Sequence, residues 1–267
     1  IGASHNDIRL SGTSGLTSRG YSIRAGIKSP LIRRENENYD IDLKFEYKSN
    51  ISSINSPCGS SSDSSPINIS AMRLGQSLVK SFSSDVIYFR HTMSLGVNAF
   101  NTTVCSRPTE ADSRFTSWLL QMLWSHKFKL YKIQTIVRGS LQTSQQPLLS
   151  AEKFTIGGAN TIRGVTENSL VRDNGRFYSI EARLPLRTRT FPKLEMQAIV
   201  FSDYGTAWNT NYRERGTISS IGAGYRWRFK SIYLAELFAA KVLRDRSVPG
   251  SSLQSQSIHA RIKIELY

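Results

Sequence analysis

Phe154-Thr155-Ile156-Gly157-Gly158-Ala159-Asn160-Thr161-Ile162-Arg163-Gly164-Val165 lies in a long polar insertion between two segments that read as β-strands, at about 129–143 and 175–187. Its glycines admit backbone conformations closed to other residues, so a long connection can fold back tightly and carry one arginine, Arg163, at its tip. The segments that follow read as strands built to receive that arginine. In Phe201-Ser202-Asp203-Tyr204-Gly205, period-two alternation sets Leu194, Met196, Ala198 and Val200 on one face, and Phe201, Asp203 and Gly205 on the other. In the preceding strand, Tyr178, Ile180, Ala182 and Leu184 form the apolar face, which leaves Glu181 and Arg183 on the same side as Asp203.

The alternation extends outward from there. Tyr39, Ile41, Leu43, Phe45 and Tyr47 share one face, while Asp40, Asp42, Lys44, Glu46 and Lys48 share the other. Trp118, Leu120, Met122 and Trp124 line one face of a segment at about 114–127, and Ile221, Ala223, Tyr225, Trp227 and Phe229 one face of a segment at about 216–230. Further strands are expected at about 7–13, 20–28, 68–80, 85–100, 231–243 and 256–267, for a total of about twelve. Two of these read less cleanly: Ile69 to Leu78 puts Arg73 and Gln76 on opposite faces, and Ile232 to Val242 alternates poorly.

Connection lengths supply an independent signal. Short links near 29–35, 81–85, 127, 187–192 and 230 alternate with longer ones at 50–68, 101–112, 144–174, 209–215 and 244–254. A soluble β-sandwich also alternates its faces, but it has no reason to alternate loop length. A transmembrane antiparallel β-barrel has that reason, with short turns on the periplasmic side and long loops outside. Tyrosine and tryptophan on the apolar faces suit the aromatic girdles of such a barrel. The fold class is therefore all-β, one barrel domain over 1–267.

No stretch approaches the roughly 18 to 20 apolar residues of a membrane helix, whereas a membrane strand needs only about 9 to 11 alternating ones. Lysine plus arginine number 35 against 20 aspartate plus glutamate, a formal net charge of +15. The cations are scattered along strands and do not interleave with aromatics, which argues against nucleic acid and for lipopolysaccharide or a cation-lined lumen. Arg24, Lys28, Lys132, Arg138, Arg226, Arg228 and Lys230 are expected to face that lumen. His5, His91, His126 and His259 lack ligand spacing, and no GxxxxGK[ST] loop is present, so the sequence points to no enzyme, metal or cofactor. Cys58 and Cys105 fall on outward loops of adjacent hairpins, where an oxidising exterior would join them in a disulfide; the competing picture is two free thiols.

The stretch 154–165 resembles the conserved L-G-G-x-x-x-V-R-G-Y/F loop of the outer-membrane insertase and two-partner secretion superfamily, with Ile162 for the usual valine and Val165 where an aromatic is preferred. Phe201-Ser202-Asp203-Tyr204-Gly205 resembles its F-x-D-x-G strand, and Glu181-Ala182-Arg183-Leu184-Pro185 its E-x-R-x-P strand. The chain looks most like the C-terminal part of a haemolysin-activation type transporter of about sixteen strands, without its periplasmic POTRA domains and about four N-terminal strands. The resemblance implies an outer-membrane pore that exports an unfolded partner exoprotein, amid lipid and lipopolysaccharide, and is inserted by the barrel-assembly machinery. A barrel-assembly insertase and a passive anion-preferring channel are the alternatives. It further implies that loop 150–173 folds into the lumen, that Gly157, Gly158, Ile162, Arg163 and Gly164 form its motif, that Asp203 is the first partner of Arg163 and Glu181 the second, and that Phe201 and Gly205 support them.

Overall fold

A computed structural model describes residues 2–9, 17–52, 66–105, 107, 110–186, 194–211, 214–229, 232–245 and 258–264. Twelve strands form one antiparallel sheet in sequence order: β1 (Gly2–Arg9), β2 (Thr17–Arg34), β3 (Glu37–Ser52), β4 (Ile67–Ser81), β5 (Asp85–Val97), β6 (Thr116–Lys127), β7 (Gln134–Ser144), β10 (Asn174–Leu186), β11 (Leu194–Trp208), β12 (Arg215–Phe229), β13 (Tyr233–Asp245) and β14 (Ile258–Ile264). Two short strands, β8 (Phe154–Ile156) and β9 (Leu170–Arg172), pair with each other inside the connection from β7 to β10. Simple sequential pairing follows from short links, since a hairpin returns a strand to its neighbour's side.

Burial is reversed relative to a water-soluble domain. Asp40, Asp42, Glu46, Ser77, Ser94, Glu181, Asp203 and Glu236 are buried, while Ile23, Leu43, Trp118, Met122, Ile180, Val200, Tyr225, Leu237 and Ile262 stand exposed. Alternation along most of the described strands turns the polar set inward and the apolar set outward, as lipid around a polar lumen demands. The register places Tyr178 opposite Tyr204, and their rings stack on the outer face at 4.9 Å. Among the described residues no helix is long and apolar enough to cross a membrane.

Several expected boundaries change, and the strand expected at about 7–13 runs instead from Gly2 to Arg9. Strand β2 runs through Pro30 to Arg34 and leaves a turn of only Glu35 and Asn36; a register shift between Pro30 and Ile32 admits the residue that cannot donate to the ladder. The strand expected from 129 begins at Gln134, because the Phe128 amide donates to the Ile133 carbonyl and closes a turn in which Tyr131 and Lys132 take positive φ. Lys132 therefore lies in that turn and not on the lumen wall; Lys230 lies outside the described residues. Strand β5 ends at Val97, since Phe100 and Asn101 adopt positive φ.

Candidate functional site

Three apolar clusters dry part of the lumen, and the connection from β7 to β10 supplies two of them. Leu148 and Leu149 pack on Ile67, Ile69, Ala71 and Phe115 at the outer end of β4. Phe154, Ile156, Ile162, Val165 and Leu170 pack on Ala207 of β11 and Ile218 of β12. Val165, at the family's aromatic position, is 4 % exposed and belongs to this seat. The wall makes room by having no side chain at Gly205: a Cβ there would stand 3.0 Å from Ile156 Cγ2 and 3.3 Å from Ile162 Cδ1.

At the tip, Gly157, Gly158 and Gly164 have φ of 120°, 92° and 95°. Gly157 is the most constrained, because a Cβ would stand 2.4 Å from the Thr166 carbonyl oxygen and 2.8 Å from the Ser169 amide nitrogen, and beside Gly158 the Glu167 carboxylate accepts the Ala159 amide at 3.0 Å. Gly164 meets β13, where a Cβ would come within 2.8 Å of Ala240 Cβ. Positive φ at these positions reverses the chain and aims Arg163 at the wall.

Arg163 is 2 % exposed and Asp203 1 %. The guanidinium grips Asp203 bidentately, Nε to Oδ2 at 2.8 Å and Nη2 to Oδ1 at 2.8 Å, and the Arg163 backbone amide donates to the same Oδ2 at 3.0 Å. Its Nη1 donates to Glu181, and its Nη2 also reaches Ser179 Oγ at 3.2 Å. The planar cation lies 3.5 Å above the Phe201 ring centroid and 5.5 Å from that of Phe238. Glu181 also accepts from Arg183, so two cations share one carboxylate. Each polar atom of a dry site needs such partners, and a planar fork with two parallel bonds satisfies them where a lysine would not.

The sequence motifs bring Arg163, Asp203, Glu181, Phe201 and Gly205 to one place but do not mark Ser179 or Phe238. Nor do they mark a second attachment. Glu152, in the one-turn helix Ser150–Glu152, accepts Arg73 Nη2 at 2.7 and 2.8 Å and Lys48 Nζ at 2.9 Å. Arg73 in turn holds Glu46 and Ser94 Oγ. The same connection is thus fastened to β3 and β4 on one side and to β10 and β11 on the other. Asp173 ties its base, accepting the amides of Leu148 and Thr210 at 3.0 Å each. Of the two cysteines, Cys105 is buried, and Cys58 lies outside the described residues.

Comparison with known proteins comes to the same architecture. The family model described as haemolysin secretion/activation protein ShlB/FhaC/HecB matches residues 4–227. Similar solved structures include CdiB from Escherichia coli, with TM-score 0.77 and 14 % identity over 98 % of this chain and 49 % of that one. CdiB from Acinetobacter baumannii gives 0.65 and 18 % over 91 % and 42 %. BamA from Haemophilus ducreyi lacking POTRA domains 1–3 gives 0.64 and 11 % over 97 % and 57 %. At such identities the likeness shows the fold alone, and the chain spans about half the length of these structures. Among curated protein sequences nothing matches.

Proposed function

The chain belongs to the haemolysin secretion/activation protein family ShlB/FhaC/HecB, outer-membrane β-barrels of the transporter type, and on that premise we propose that it forms the pore through which an unfolded partner exoprotein leaves the cell. The observation that carries the proposal is the buried fork of Arg163 on Asp203 and Glu181, which seats loop 150–173 inside the lumen. A loop held there by charge and packing fills the path at rest and leaves room when it shifts. Energy for export comes from folding of the substrate outside, and assembly of the barrel from the barrel-assembly machinery. POTRA domains of the whole protein would receive the substrate.

A passive anion-preferring channel fits less well, because inward cations on the β2 wall are neutralised by neighbours: Arg24 by Glu46 and Lys28 by Asp40. The test is co-expression of the full-length protein with a large exoprotein encoded beside it. Export predicts exoprotein in the medium only when the transporter is present. An unchanged medium with anion-selective conductance in planar bilayers would favour the channel, and an unchanged medium with higher yields of other folded barrels the insertase.

A further inference from the structure

A polar cavity of about 280 Å³ opens on the lumen where β7 and β11 begin and β10 and β12 run out, at the short-turn end of the barrel. Gln134, Arg183, Glu195, Gln197, Arg226 and Arg228 line it. The register explains the grouping: Arg183 faces Gln134, Gln197 faces Arg226 and Glu195 faces Arg228, so neighbouring inward positions on adjacent strands bring the guanidiniums together.

Their charge is incompletely answered. Arg183 uses Nε on Glu181, a carboxylate already shared with Arg163, and Arg226 uses Nε on Glu236 at 3.3 Å. Among the described residues, no hydrogen bond engages the terminal Nη atoms of either arginine, and no carboxylate lies within 4 Å of Arg228, including Glu195 across the ladder. Forks with idle donors beside amide side chains form a ready binding site for planar anions, whose oxygens accept those bonds. Water takes about 30 Å³ per molecule, so the cavity has room for a carboxylate side chain and a few waters.

We propose that Arg183, Arg226 and Arg228 form an anion site that takes glutamate and aspartate side chains of the polypeptide entering at this mouth. Arg226 and Arg228 supply terminal Nη donors, while Gln134 and Gln197 fix orientation. Such a site draws an extended chain into the lumen and holds it reversibly, below the level at which Arg163 is fastened. The assignment rests on the export reading, but its binding step is measurable without export.

The test uses the full-length protein in detergent and a fluorescein-labelled ten-residue peptide alternating glutamate with serine, read by fluorescence anisotropy. The glutamate peptide should bind and its glutamine counterpart should not. Loss of a charged hydrogen bond weakens binding by at least about tenfold, so Arg226→Gln/Arg228→Gln should do so. Lys28→Gln/Lys44→Gln removes the same charge from β2 and β3 and should change it less than about threefold, as screened distant charge does. Arg228→Gln alone, at a residue with no carboxylate partner to strand, should weaken binding by about fivefold or more and serves if the double variant fails to give the heat-modifiable gel band of a folded barrel. Absence of glutamate-peptide binding, equal binding of the glutamine peptide, or equal loss in the β2–β3 variant would overturn the proposal. Peptide binding without exoprotein in the medium would leave the site standing and remove the export reading.

Discussion

Truncating Arg163 to alanine should free the tip of the loop and leave its root in place. The side chain makes charged hydrogen bonds to Asp203 and Glu181 in a site where both it and Asp203 are almost fully buried. Removing one member of such a pair costs about 3–5 kcal/mol, since Asp203 keeps its charge without its cation. At about 1.4 kcal/mol per tenfold, the undocked tip gains roughly a hundredfold to a few thousandfold in population. The root is held differently. Phe154, Ile156 and Leu170 are buried against β11 and β12, each worth about 1.5–3 kcal/mol, and Asp173 secures the base. That sum exceeds the loss at the tip, so β8 and β9 should stay. Hydrogen exchange read by mass spectrometry should show residues 157–169 exchanging at least about a hundred times faster in Arg163→Ala, with 154–156 and 170–172 nearly unchanged. Arg163→Lys should fall between, because it keeps the charge and loses the fork. Unchanged protection of 157–169, or simultaneous loss across 148–172, would refute this division of the loop.

Glu152→Gln removes the charge that Arg73 and Lys48 share and should raise exchange at 146–153 by roughly ten- to a hundredfold, with 157–169 unaffected; joint release would show one attachment where two are described. Gly205→Val places methyl groups against Ile156 and Ile162 and should destabilise the docked loop by about 1–3 kcal/mol through overpacking, lowering the thermal transition, whereas Ser202→Val on the outer face should not. A single linked peptide holding Cys58 and Cys105 is expected in an unreduced digest; alkylation of both would remove that pairing.

The strands were easiest to read where the lumen is wet. In β3 each inward position from Asp40 to Lys48 is charged and each outward one apolar, so two solvents write one pattern. Strands β4 and β13 read poorly for a physical reason. Ile67, Ile69 and Ala71 face inward beneath Leu148 and Leu149, and Phe238 and Ala240 pack inward with Ile199 and Phe201, so both faces of these strands are apolar. The folded-in loop dries those patches, and nothing local announces it. Asp203 and Glu181 were legible because parity and motif agree on their direction. Glu152 stands in a polar insertion like any surface glutamate, and its partners Lys48 and Arg73 come from strands about 80 to 100 residues earlier in the chain. Only the folded connection brings them together.

If the chain exports as proposed, Arg163 and Asp203 are expected to act as one unit in that step. A double-mutant cycle on exoprotein secretion by the full-length transporter, with barrel amount held equal by the heat-modifiable band, tests it most directly. Coupled residues predict that Arg163→Ala/Asp203→Ala secretes about as much as either single variant, and that exchanging the two charges, Arg163→Asp with Asp203→Arg, restores part of the signal. Independent, multiplicative losses in the double variant would show that the two residues act separately and that their pairing does not serve export.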